Sequence, residues 1–217
     1  MTAFELNDVE CRVLGALMEK SMTTPEYYPL SLNGLANACN QKSNRNPVLS
    51  LDESVVVRGL DELKEKRLVV QSDASRVPKY EELLVKSKNL VAREAAIICL
   101  LLLRGPQTSG ELRGRSERMH KFETLEEVNE TLDALADLGM VVKLPRQPGR
   151  KEARFCHLLA GDPDLEAFES AAAPEQATIQ VRAENERIKK LEEEVEELKD
   201  EMARLAGAFS DFKAQFE

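Results

Sequence analysis

The chain has 217 residues, of which 42% are apolar and 32% charged, with a formal net charge of -9. That apolar content excludes a wholly disordered polypeptide and suffices for one ordinary domain or two small ones. The acidic balance excludes indiscriminate attraction to nucleic acid or to an anionic membrane unless cations are segregated into a patch.

Charge is unevenly spread. Residues 1–86 carry 11 basic and 13 acidic groups, residues 87–173 carry 12 and 14, and residues 174–217 carry 7 and 12. More than half of the excess negative charge therefore falls in the tail. The remainder is nearly balanced, so the local arrangement of charge matters more than its total.

In chain order, Asn7 with Glu10 has the spacing of a capping box ahead of Val13, Leu14, Leu17 and Met18, which recur at helical spacing. Pro25 and Pro29 make Thr23-Thr24-Pro25-Glu26-Tyr27-Tyr28-Pro29 a stiff connection. Ser31 is the expected cap of a short helix with Leu35, Ala36 and Cys39 on its inner face, and Asn44-Arg45-Asn46-Pro47 marks a turn. Ser50 and Glu53 predict the start of a third helix with an inner stripe of Val56, Gly59, Leu60 and Leu63. Residues 68–70 and 77–84 then predict a hairpin. Three helices followed by a hairpin make a winged-helix module, assigned to residues 1–86.

The same order recurs over residues 87–160. Residues 95–103 form an apolar helix, too short to cross a bilayer and closed by Arg104, Gly105 and Pro106. Thr108 with Glu111 starts a short helix, and Thr124 with Glu127 starts a longer one bearing Val128, Leu132, Leu135 and Leu138. Residues 140–144 and 153–159 predict paired strands around a Pro/Gly-rich wing. An offset of 72 residues aligns Val56 with Val128, Leu60 with Leu132, Leu63 with Leu135 and Val69-Val70 with Val141-Val142. That ordered coincidence favours duplication of one unit. The fold class is therefore α+β and mainly helical, with tandem winged-helix modules.

Residues 161–177 read as a linker and residues 178–217 as a coiled-coil tail. Its a positions are Val181, Ile188, Val195, Met202, Phe209 and Phe216; its d positions are Glu184, Leu191, Leu198, Leu205 and Phe212, with Glu184 alone breaking the apolar seam. A seam of this length, exposed on a lone helix, would remain in water, so the tail is expected to build a homodimer, its strands parallel.

Catalytic signatures are missing. The four cysteines have no metal-knuckle spacing and are expected to be buried free thiols, and His120 and His157 are 37 positions apart. The sequence contains no phosphate loop, Walker motif or serine elbow, and its paired acids fit solvated helix faces. The expectation is a protein without enzymatic activity, metal or cofactor. Glu5, Asp8 and Glu10 stand where an export signal needs a basic start, which points to the cytoplasm and no membrane association.

The segments Glu5-Leu6-Asn7, Arg12-Val13-Leu14-Gly15, Thr23-Thr24-Pro25 and Tyr27-Tyr28-Pro29 resemble the YceH-like family of bacterial proteins. So do Asn40-Gln41-Lys42-Ser43-Asn44-Arg45 and Pro47-Val48. The likeness runs over nearly the whole chain and is most specific in residues 5–60, with a second segment around residues 93–111. It implies a tandem winged-helix fold and carries no catalytic or ligand-binding residues over.

Two groups of residues are candidate contacts for nucleic acid or for an acidic protein. Lys42, Asn44 and Arg45 lie in the turn before the third helix; Arg146, Arg150, Lys151 and Arg154 lie in the second wing region. Against groove reading, the outer faces of the two third helices carry Ser54, Arg58, Asp61, Glu62 and Glu65 on one and Glu126, Glu130, Asp133 and Asp137 on the other. Such acidic faces meet a dense field of phosphates unfavourably. A protein-interaction or scaffold role with an unidentified protein partner is thus the first expectation, and a DNA-binding transcriptional or chromosome-associated regulator the alternative.

Overall fold

The computed structural model describes residues 5–73, 76–147, 150 and 152–165. The expected linker beyond residue 165, the coiled-coil tail with its dimer seam, and Lys151 lie outside the described residues. Met1–Leu165 forms one compact unit. It is a mixed α/β structure with seven α-helices and two small antiparallel sheets among the described residues.

Helix α1 (Asp8–Thr23) opens on the expected capping box: Glu10 N donates to Asn7 Oδ1 at 2.9 Å, and Asn7 N donates to Glu10 Oε2 at 2.7 Å. Every residue from Glu10 to Glu19 is buried, so α1 is a central helix enclosed on all sides. A short 3-10 turn (Pro25–Tyr27) leads to β1 (Leu30–Ser31) and α2 (Leu32–Cys39), where Ser31 Oγ accepts from Gly34 N at 3.3 Å. Helix α3 spans Glu53–Glu65, and its N-cap is Asp52 with no side-chain cap bond. The expected cap at Ser50 is therefore two residues early, because residues 50–52 are drawn into the preceding loop, where Leu51 exchanges two hydrogen bonds with the Asn40 side chain.

Strands β2 (Val69–Ser72) and β3 (Lys79–Glu82) pair in register from Val69 opposite Glu82 to Ser72 opposite Lys79. The two-residue strand β1 joins the far side of β3, with Leu30 opposite Tyr80. Tyr28 anchors this addition, its hydroxyl oxygen accepting from Glu82 N at 2.6 Å. A one-turn helix α4 (Leu84–Ser87), absent from the sequence expectation along with β1, follows.

Helix α5 (Ala92–Arg104) is buried from Ala95 to Leu103 and ends at Gly105, whose φ of 69° lies in the left-handed region that glycine tolerates best. Helix α6 (Ser109–Arg115) carries the expected Thr108/Glu111 capping box. Helix α7 (Leu125–Asp137) is capped by Thr124, whose Oγ1 accepts from Glu127 N at 3.1 Å; the Glu127 carboxylate instead takes the backbone N–H of Glu123. Strands β4 (Val141–Lys143) and β5 (Phe155–His157) pair from Val141 opposite His157 to Lys143 opposite Phe155. Gln107 bridges Phe155 on the free side of β5, the place that β1 takes beside β3. Helix α7 lies 72 residues after α3 at both ends, and β4 begins 72 residues after β2.

One buried apolar cluster runs through both halves, from Leu6, Leu14 and Leu17 through Leu60 and Leu63 to Ile98, Leu101, Leu132 and Leu135. Its seam is the packing of α1 against α5, where a Cβ built on Gly15 would stand 2.9 Å from Leu103 Cγ and 3.1 Å from Leu102 Cβ. Cys99 Sγ donates to Gly15 O at 3.4 Å across the same seam. Gly15→Val therefore forces the two helices apart and should destabilise the unit by about 1–3 kcal/mol in denaturant unfolding. An unchanged midpoint would contradict the close approach.

Candidate partner-binding surfaces

The connection between α2 and α3 has no regular structure, so its backbone carbonyls need donors from elsewhere. Two buried arginines supply some of them, and bond the last carbonyls of α2 as well. Arg12 on α1 donates to Cys39 O at 3.1 Å and to Pro47 O at 2.5 Å. Arg45 donates to Ala38 O from Nε and Nη2 at 3.1 and 2.8 Å, and to Asn44 O at 2.9 Å. It also engages both carboxylate oxygens of Glu19, at 3.1 and 2.6 Å. Burial pushes the Glu19 carboxyl up, but the hydrogen bonds and charge of Arg45, with Lys20 beside it, outweigh that effect and leave it below the usual carboxylate range.

This placement corrects the candidate contact at Arg45. The Arg45 side chain has no exposed surface, and its guanidinium is consumed by the interior, so it reaches no outside partner. Lys42 and Asn44 remain on the surface, Asn44 at a φ of 59° with Oδ1 accepting from Arg104 Nη2 at 2.9 Å. Asn46 reaches the same helix end, its N–H donating to Leu103 O at 3.0 Å. Loop 40–52 thus helps satisfy the last carbonyls of α5.

The second group of candidate cations is also divided. Arg146 and Arg150 are exposed between β4 and β5. Arg154 is half-buried at the base of that connection, donating to Pro106 O at 2.7 Å and meeting Glu111 Oε2 at 3.1 Å. The structure does not bring Lys42 together with Arg146 or Arg150 through any direct bond among the described residues.

The outer faces of the two third helices stand as the sequence arranges them. On α3, Ser54, Arg58, Asp61 and Glu65 are exposed, while Glu62 is half-buried and accepts from Asn7 Nδ2 at 2.8 Å. On α7, Glu126, Glu130, Asp133 and Asp137 are all exposed, and Leu125–Asp137 contains no Lys or Arg to offset them.

Sequence reasoning missed Arg104 and Arg115. Arg115 Nη1 donates to Gln107 Oε1 at 2.7 Å, and its Nη2 lies 3.5 Å from Glu111 Oε1. The signal was present in Arg113-Gly114-Arg115-Ser116-Glu117-Arg118, but without the fold nothing tied this run to the end of α5.

The four cysteines are free, three of them buried, and burial pushes the thiols of Cys11 and Cys39 up to about 12, where the nucleophilic thiolate is scarce. No three His, Cys, Asp or Glu side chains converge as metal ligands among the described residues. His120 stacks edge-on against Phe122 with ring centroids 4.6 Å apart, and His157 is buried at the end of β5. No helix among the described residues is long and apolar enough to cross a membrane.

A family profile described as "Protein of unknown function, DUF480" matches residues 6–150. The chain is 56% identical over 215 residues to a UPF0502 protein of Geobacter sulfurreducens, covering 98% of each. It is 55% identical to a UPF0502 protein of Geotalea uraniireducens and 53% identical to one of Pelobacter propionicus, again over 98% of each chain.

Burial lowers the His157 pKa from 6.5 to about 4, so the folded protein keeps the ring neutral where the unfolded chain takes up a proton. The unfolded state binds more protons in that window, and stability is lost as pH falls from about 6.5 toward about 4. At most roughly 3 kcal/mol is involved. His157→Leu should flatten the wild-type decline across this window in pH-dependent unfolding; parallel curves for the two proteins would refute the assignment.

Proposed function

We propose that this chain, which belongs to the DUF480 (UPF0502) family, is a non-enzymatic protein-interaction or scaffold protein built from two winged-helix modules and a self-associating tail. The observation that carries this reading is the outer face of α7, whose exposed charges are all acidic. In a winged helix that face is the one that enters a DNA groove, and there it would meet repulsion from the phosphates and the cost of stripping water from carboxylates. The helix–strand–helix–helix–hairpin order of the first half, and the three helices and hairpin of the second with its Gln107–Phe155 bridge where the first has β1, support the winged-helix assignment. Four free cysteines are consistent with work in the reducing cytosol.

The alternative, a DNA-associated regulator, draws on Arg146 and Arg150, which are exposed on the connection between β4 and β5. A projecting wing can set cations beside a phosphate backbone without using α7. The two readings separate in a titration of duplex DNA at an ionic strength of about 0.15 M, where weak collective attraction is screened. The scaffold reading expects no sequence-specific complex. Any residual binding should fall on Arg146→Glu with Arg150→Glu and hold or rise on Glu126→Gln with Glu130→Gln. Specific binding abolished by the glutamate changes would overturn the scaffold reading.

Self-association rests on the seam of Val181, Ile188, Leu191, Val195, Leu198, Met202 and Leu205, with phenylalanines beyond. Leu191→Asp with Leu198→Asp should convert a dimer into monomers in sedimentation while the circular dichroism of residues 1–165 persists. A wild-type chain that stays monomeric at high micromolar concentration would defeat the tail's role.

A further inference from the structure

The end of α5, helix α6 and the base of the second hairpin bring two guanidinium groups, those of Arg115 and Arg154, onto one carboxylate, with Arg104 at the adjoining helix end. Gln107 is the hub. Its Nε2 donates to Leu100 O at 3.0 Å and to Gly105 O at 3.4 Å, which lays the side chain on the end of α5. Its Oε1 takes Arg115 Nη1 at 2.7 Å, which ties Arg115 to the end of α5, the helix that Arg104 closes. After burial, Arg115 is the largest cause of the lowered pKa of Arg104, a sign of two like charges held close. Glu111 is the carboxylate among them, with Oε1 3.5 Å from Arg115 and Oε2 3.1 Å from Arg154. Glu111 Oε2 also accepts the Thr108 N–H at 2.9 Å, so its charge is already shared. Among the described residues the Arg104 side chain engages only the neutral Asn44 side chain, through Nη2, and its buried Nε has no hydrogen-bond partner.

Arg115 and Arg154 share the one carboxylate of Glu111 and Arg104 bonds a neutral amide, which leaves guanidinium charge incompletely neutralised in a chain whose net charge is -9. Helix α6 itself separates this cluster from the acidic face of α7. Ser109 and Arg113 occupy the flank turned toward α7, bonding Asn129 Oδ1, Phe122 O and Glu123 O, whereas Glu111 and Arg115 occupy the opposite flank.

We propose that the Arg104, Arg115 and Arg154 cluster is a docking surface for an acidic, Asp/Glu-rich segment of a partner protein. This rests on the scaffold reading and names the chemistry of the partner. The size of the patch chooses between anions. Duplex binding through phosphates draws on many such contacts, on the order of 6–10 in a strongly salt-dependent complex. Three guanidiniums, with a carboxylate beside them, match one or two side-chain carboxylates, which the planar guanidinium fork accepts in bidentate fashion.

The test uses the full chain and a fluorescent peptide of alternating Asp and Glu, with duplex DNA as the competing probe, both at about 0.15 M ionic strength. The peptide should bind, and Arg115→Gln or Arg104→Gln should weaken it about three- to fivefold each. The sharper variant is Glu111→Gln. Glutamine keeps the cap to Thr108 while removing the internal competitor, so peptide affinity should rise by about three- to fivefold with the fold intact. No gain in Glu111→Gln, or equal binding by the arginine variants and wild type, overturns the docking surface and leaves the scaffold reading standing. Tighter binding of duplex than of peptide, lost in the same arginine variants, overturns the choice of partner. Sequence-specific duplex binding that depends on the α7 glutamates would sink the scaffold reading itself.

Discussion

The structure depends on the approach of α1 to α5 at Gly15. The absent side chain lets Leu102 and Leu103 lie on the α1 backbone, and the Cys99 thiol reaches the Gly15 carbonyl where a Cβ would intrude. Each half alone has a three-helix layer and a small sheet, and a sheet of two or three short strands stabilises little by itself. Joining the halves along two helices, each buried over most of its length, produces one continuous core. The surfaces left outside are then held in a fixed relation, which suits a protein proposed to act by presenting surfaces.

The second constraint is the irregular loop 40–52. Arg12 on α1 meets its Pro47 carbonyl and the Cys39 carbonyl that ends α2, its own Arg45 turns inward to the Ala38 carbonyl, and it gives the Asn46 N–H to the end of α5. A buried ion pair such as Glu19 with Arg45 adds little net stability over an apolar pair, but losing one partner strands the other charge in the interior. The pair holds Arg45 in place, with its guanidinium bonded at once to both Glu19 oxygens and to the Ala38 carbonyl. The same loop offers Asn44 to Arg104 and so orients one member of the proposed docking cluster.

Much of the helical layout was legible in the residues. Asn7/Glu10, Ser31 and Thr108/Glu111 cap where their spacing places them, because capping bonds are local and the pattern encodes them. Ser50 misled for the opposite reason: its apparent box lost to long-range bonds between Asn40 and Leu51. Strand β1 has two residues, and a pairing that short shows only once β3 lies beside it. Among candidate contacts, the exposed acids of α7 followed from helical periodicity, whereas Arg45 did not. Position in a polar turn suggests exposure, and only the fold supplies the Glu19 carboxylate that draws it inward. Arg104 and Arg115 come from separate helices and are joined through Gln107, a relation that periodicity does not contain.

Charge is thus segregated by α6 within an acidic chain: carboxylates on α7 to one side and a guanidinium cluster to the other, both carried by a single body. That body is the central claim, and native-state hydrogen exchange across the α1–α5 seam tests it most directly. The slowest amides of α1 and α3 should open with the same free energy as those of α5 and α7, and Gly15→Val should lower all four by the same amount. Protection in α5 and α7 that survives unchanged while α1 and α3 lose theirs would contradict it.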